Sequence, residues 1–157
     1  MTITYDLLAS NVVGTATSSV TFSSISGSYR DLVVVCRFTQ VNNTNFNFRL
    51  NGVTSNSYNQ NSIWNTSAWN PGGVQGLFYG TTVINPTLDT LVRINIIGAN
   101  RTDKHKALIW RSDEATNNTE LHYGRFANTS SVDSITLFPS AGNINVGSTF
   151  YLYGIVS

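Results

Sequence analysis

The sequence predicts an all-β protein, a jelly-roll-like antiparallel β-sandwich of about eight to nine strands. Apolar and polar residues alternate with a period of two in short runs. Gly, Ser, Asn and Asp separate those runs, and no segment carries a helical period over three turns with a cap at each end. The 157 residues fit one domain, 1–157, large enough to bury about two-thirds of the surface its unfolded chain exposes. An immunoglobulin-type sandwich fits less well, because its paired cysteines are absent and the chain is long for it.

The elements follow in order. Strands are expected at 3–8 and 15–25, and then at 32–39, "LVVVCRFT". There Leu32, Val34, Cys36 and Phe38 point to the core, which turns Val33 and Val35 the other way. Either the domain itself covers that second face or another subunit does. In "NFNFRLNG" Phe46, Phe48 and Leu50 alternate with polar residues until Asn51-Gly52 turns the chain. In "LVRINIIG" Val92, Ile94 and Ile96 alternate with Arg93 and Asn95 before Gly98. Further strands are expected at 106–111, 120–126, 134–138 and 149–156. In the last of these Phe150, Leu152 and Gly154 share one face, and Tyr151, Tyr153 and Ile155 the other.

Between 53 and 86 the alternation breaks down. The stretch is rich in Asn, Ser and Gly yet carries Tyr58, Trp64, Trp69, Phe78 and Tyr79. It reads as an ordered excursion with one short strand near 76–83, since disordered linkers seldom hold so many rings. Those rings either lid one end of the sandwich or anchor a partner.

Chemistry is sparse. His105 lies in a charged turn, and His122 faces away from Leu121 and Tyr123; neither has metal-ligand spacing, so no metal is expected. Asp113 and Glu114 are adjacent, and adjacent strand residues point to opposite faces, which disfavours a glycosidase pair. No nucleophile elbow, phosphate loop or dinucleotide fingerprint occurs, so no catalytic residue and no cofactor is assigned. Cys36, the only cysteine, sits in an apolar run and reads as a buried, inert thiol. Arg101, Lys104, His105 and Lys106 form a small basic cluster: a solvated hairpin tip, or a contact for an acidic patch on a protein partner.

The formal net charge of +1 supplies no field to attract nucleic acid or an anionic membrane, and neither is expected as a partner. The first ten residues, "MTITYDLLAS", lack a basic n-region and an apolar h-region, and no apolar run is long enough to span a bilayer. Only 11% of residues are charged, against roughly 25% in an ordinary soluble domain, so part of the surface is expected to lie against other protein.

Three segments resemble a recurrent type of small bacteriophage virion protein. They are "VTFSSISGSYRDLVVVCRF", "FRLNG", and the closing "GRFANTSSVDSITLFPSAGNINVGSTFYLYGI". In the last, Ile135 and Leu137 read as core positions, Pro139 stops the strand, and Gly142 and Gly147 permit positive φ. The resemblance implies a non-enzymatic β-sandwich made in the host cytoplasm and resident in the virion. It would be a capsid decoration (cement) protein, homotrimeric, bound to the major capsid protein or another virion protein. A tail or fibre module that binds a host receptor or polysaccharide, with Trp64, Trp69 and Tyr79 stacked on sugar rings, is the alternative. No coiled-coil heptads or fibrous repeats occur, which favours decoration. The expected contacts are the excursion (Tyr58, Trp64, Trp69, Phe78, Tyr79), the basic cluster (Arg101, Lys104, Lys106) and the outer face of 32–39 (Val33, Val35).

Overall fold

The computed structural model describes residues 4–64, 69–84, 86, 88–114 and 119–156. Over these the chain forms twelve strands and no helix. They are β1 (Tyr5–Val12), β2 (Val20–Phe22), β3 (Asp31–Phe38), β4 (Thr44–Leu50), β5 (Tyr58–Trp64) and β6 (Trp69–Gln75). There follow β7 (Phe78–Ile84), β8 (Thr90–Ile97), β9 (Lys106–Glu114), β10 (Thr119–Phe126), β11 (Ile135–Pro139) and β12 (Thr149–Ile155).

Two antiparallel sheets result. The larger has eight strands in the order β1-β12-β3-β8-β9-β10-β5-β6, and the smaller has four in the order β2-β11-β4-β7. Strands 1, 12, 3 and 8 against 2, 11, 4 and 7 form the jelly-roll set, with the chain crossing between sheets at nearly every step. The β9–β10 and β5–β6 hairpins then extend the large sheet beyond β8.

The extra strands correct the expectation for 53–86, which holds β5, β6 and β7 rather than one short strand. Strand β5 escapes detection because its inward positions after Tyr58 are Gln60 and Ser62, both buried polar residues, so hydrophobicity does not alternate. Strand β6 carries Pro71, and it pairs only with β5 at the sheet edge, where a missing N–H is tolerated. In the other direction, the strand expected over 15–25 shrinks to β2 and an isolated bridge between Thr17 and Ile144.

One continuous core fills the space between the sheets. Phe38 of β3 stacks on Phe46 of β4 with ring centroids 4.0 Å apart, and Phe48 meets Trp110 of β9 edge-on at 5.4 Å. Burying each such ring contributes about 1.5–3 kcal/mol relative to leaving it exposed. The free edge of β7 is covered by the large sheet: Tyr79 N donates to Gln60 Oε1 at 2.8 Å, and Trp110 Nε1 donates to the Tyr79 carbonyl at 2.9 Å.

The turn after β4 is as its dipeptide predicts, with φ of 53° at Asn51 and 62° at Gly52. The Asn51 side chain ties it to the 131–134 segment, donating to Ser131 O and accepting from Asp133 N. Gly142 and Gly147 both take the positive φ that the closing motif requires.

Candidate interaction surface

The outward faces of the two sheets differ in kind. On the small sheet several outer side chains are tied to neighbours by polar contacts. Thr21 bonds Thr136, Asn47 bonds Ser140, and Arg49 lies over the Phe138 ring while donating to Gly76 O. On the large sheet many outer positions are apolar and exposed. Strand alternation sends Val92, Ile94 and Ile96 inward, so Leu91 and Ile97 point out; the same logic exposes Ile109 on β9, Leu121 and Tyr123 on β10, and Ile63 on β5. Leu91 is 49% exposed, Ile109 46% and Leu121 46%. Tyr5, Leu7 and Val12 continue the face along β1. Of the large apolar side chains left exposed among the described residues, only Val41 and Val146 lie elsewhere. Such concentration on one face makes it the candidate interaction surface, whereas scattered exposed residues carry no such meaning.

Charge is interleaved with that surface. Arg37 bonds Asp89 at 2.6 Å, and Arg111 stands 3.8 Å from Asp113. Arg93 and Arg125 are exposed and form no ion pair among the described residues.

The residues singled out from sequence do not gather in one place. Val33 and Val35 lie on the outer face of β3, mid-sheet, between Tyr153 and Asn95 and between Tyr151 and Arg93. Val33 is only 2% exposed and Val35 half-buried, so they floor the surface while their neighbours project from it. Tyr58 and Phe78 are core residues, closed to any partner. The Tyr58 ring stacks on Phe126, its hydroxyl donates to Val53 O at 2.8 Å, and burial raises its pKa. Tyr79 is half-buried on β7, in the small sheet and away from the apolar face. The side chains of Trp64 and Trp69 lie outside the described residues.

The basic cluster divides. Arg101 and Lys104 are exposed at the β8–β9 tip, where Arg101 Nε donates to Asp103 Oδ1 at 2.7 Å. Lys106, expected at a solvated tip or partner contact, is instead fully buried. Its Nζ donates to the carbonyls of Arg101 at 2.6 Å, Thr129 at 3.2 Å, and Lys104 and Asn128 at 3.3 Å. Burial lowers the Lys106 pKa, and the negative charge of Asp103 opposes that shift. Lys106 therefore fastens the hairpin tip to the 128–129 segment. Its predecessor in the alternation, His105, stays exposed, so charge alone could not distinguish the two.

A buried polar group went unread in the sequence. Glu120, at the start of β10, is 2% exposed. Its Oε2 accepts from Ser112 Oγ at 3.3 Å and lies 3.0 Å from His122 Nε2. The His122 ring stacks on Trp110, centroids 5.0 Å apart and planes within 1°. The signal available was the i, i+2 spacing of Glu120 and His122, which puts both on the inward face. Buried among the described residues, this group ties β9 to β10 through Ser112 and Glu120. Among the described residues no cluster of His, Cys, Asp and Glu could hold a metal, and no helix is long and apolar enough to cross a membrane.

No protein-family model matches the chain, and no curated protein matches it. Among solved structures it is similar to the PL-14 alginate lyase from Aplysia kurodai, at 9% identity and a TM-score of 0.40, covering 85% of this chain and 72% of that one. It is also similar to a protein of unknown function from Shewanella oneidensis MR-1, at 11% identity and a TM-score of 0.28, covering 99% of this chain and 76% of that one. Both likenesses are remote and leave the chain's own architecture, a two-sheet antiparallel sandwich with an apolar outer face, as its defining feature.

Proposed function

We propose that this chain is a structural protein of a bacteriophage virion, a capsid decoration protein that docks on the assembled shell through the outer face of its large sheet. The observation that carries the reading is the gathering of exposed Leu91, Ile97, Ile109, Leu121 and Tyr123 on that one face. Low overall charge and the three resembling segments support it. Binding that favours the assembled shell over its free subunits stabilises the shell by mass action, about 2.7 kcal/mol per site when the free protein stands at 100 times its Kd. No bond needs to be made or broken.

The test is to add the purified protein to empty heads of the phage that encodes it and follow their rupture on heating. Saturable binding and a raised rupture temperature support decoration. Retention on host cells or their polysaccharide, with no binding to heads, overturns it in favour of a tail role.

A further inference from the structure

We infer that the docking face receives a protein surface on which a carboxylate stands beside a large apolar side chain, the carboxylate seated between Arg93 and Arg111. The inference rests on the reading of this face as the docking surface and adds the chemistry of what docks there.

Three relationships support it. First, Arg93 of β8 is directly opposite Arg111 of β9, and its other neighbour is Val35 of β3. Like charges paired across a sheet repel, an arrangement that an anion between them relieves. Their nearest described carboxylate, Asp113, lies 3.8 Å from Arg111, too far for a hydrogen bond. The two arginines flank a hollow of about 230 Å³ floored by Val35, with Leu91 and Asp113 also on its wall, so two guanidinium groups stand there against one carboxylate. A carboxylate there would be held by forked guanidinium donors, the geometry in which arginine binds carboxylates best.

Second, the next outward row along the same strands is Val33, Asn95 and Ile109. It borders a second hollow of about 290 Å³ with Ile97 and Ile155 at its sides. Same-face rows are two residues apart, roughly 6.6 Å along a strand. An extended segment with an apolar residue and an acidic residue at i and i+2 matches that spacing.

Third, the composition of the face selects the class of occupant. Its open side chains are mainly aliphatic, which suits burial against protein better than stacking on sugar rings. Face-to-face packing of two copies is opposed by charge. Arg37, Arg93, Arg111 and Arg125 outnumber Asp31, Asp89 and Asp113 on this side, so each copy is positive there, stacked copies repel and an acidic partner is attracted.

Two measurements test this on the full chain. In the first, the probes are the peptide acetyl-Ser-Leu-Thr-Glu-Thr-amide and its Gln-for-Glu counterpart, titrated into isotope-labelled protein. The Glu peptide is expected to shift the Arg93, Arg111 and Ile109 resonances and to bind at least tenfold more tightly than the Gln peptide. In the second, empty heads are the probe, and Arg93→Gln/Arg111→Gln is expected to bind at least tenfold more weakly with its unfolding temperature unchanged. Heads bound equally well by wild type and variant overturn the arginine seat but leave the docking reading intact. If wild type ignores the heads, the docking reading fails, and the peptides alone decide: equal binding of the two, or shifts elsewhere, overturns the inference.

Discussion

The Tyr29 ring packs directly onto the bare Cα of Gly154. A side chain at 154 would collide with the Tyr29 ring carbons, so glycine is required there by packing and not by φ. Tyr29 lies in the turn before β3 and Gly154 near the end of β12, the strand that pairs with β3. Two of the segments that carry the sequence resemblance thus meet through this contact. Gly154→Ala is expected to destabilise the fold by about 2 kcal/mol, the usual cost of overpacking. Gly14→Ala, which meets nothing within 4 Å, is the neutral control. Denaturant unfolding measures both, and combining Gly154→Ala with Tyr29→Ala should recover part of the loss, as expected for residues in contact.

Lys106 is expected to matter far more to stability than its exposed neighbour. Lys106→Met keeps the length of the side chain but leaves four carbonyl oxygens without their donor. The expected loss is about 2–3 kcal/mol, while Lys104→Met should stay within about 0.5 kcal/mol. Urea midpoints at constant slope discriminate between them.

The thiol of Cys36 should be silent in the native state. It lies on the inward face of β3 between Phe150 and Val92, wholly buried, and burial raises its pKa far above the usual thiol range. Labelling with a thiol reagent should proceed only as fast as the protein unfolds and should accelerate sharply in denaturant. Rapid labelling in native buffer would contradict the packing.

At the hairpin tip, the hydrogen bond from Arg101 holds the Asp103 carboxyl at about 2, below its ordinary 3.8. Because the folded value is depressed, the pair's contribution is complete above the unfolded value and is lost as pH falls through about 2. A side-chain carboxyl titration by NMR should give that midpoint, and Arg101→Ala should return it towards 3.8. The site is open to solvent, so the change should leave overall stability nearly untouched.

The parts of the fold legible in sequence are those where burial and polarity coincide. Strands β4, β8 and β12 alternate cleanly because their inward positions are Phe, Val, Ile and Leu and their outward ones largely polar or aromatic. Strand β5 does not, because Gln60 and Ser62 face inward while Ile63 faces out. The outer face of the large sheet was visible in sequence at Val33 and Val35 and at Tyr151, Tyr153 and Ile155. Leu91, Ile97, Ile109 and Leu121 sit within alternating strands, where an apolar residue on the wrong face looks like ordinary scatter until neighbouring strands align it.

The sequence by itself determined the strand character of most segments, the turns at Asn51-Gly52, Gly142 and Gly147, and the inertness of Cys36, since each depends on a residue and its near neighbours in the chain. Tertiary structure alone decided that Arg93 faces Arg111, that Lys106 is buried while Lys104 is not, and that Tyr58 and Phe78 belong to the core. The reason is that strand pairing joins residues far apart in sequence, and the register of that pairing sets which side chains share a face and which of them meet water.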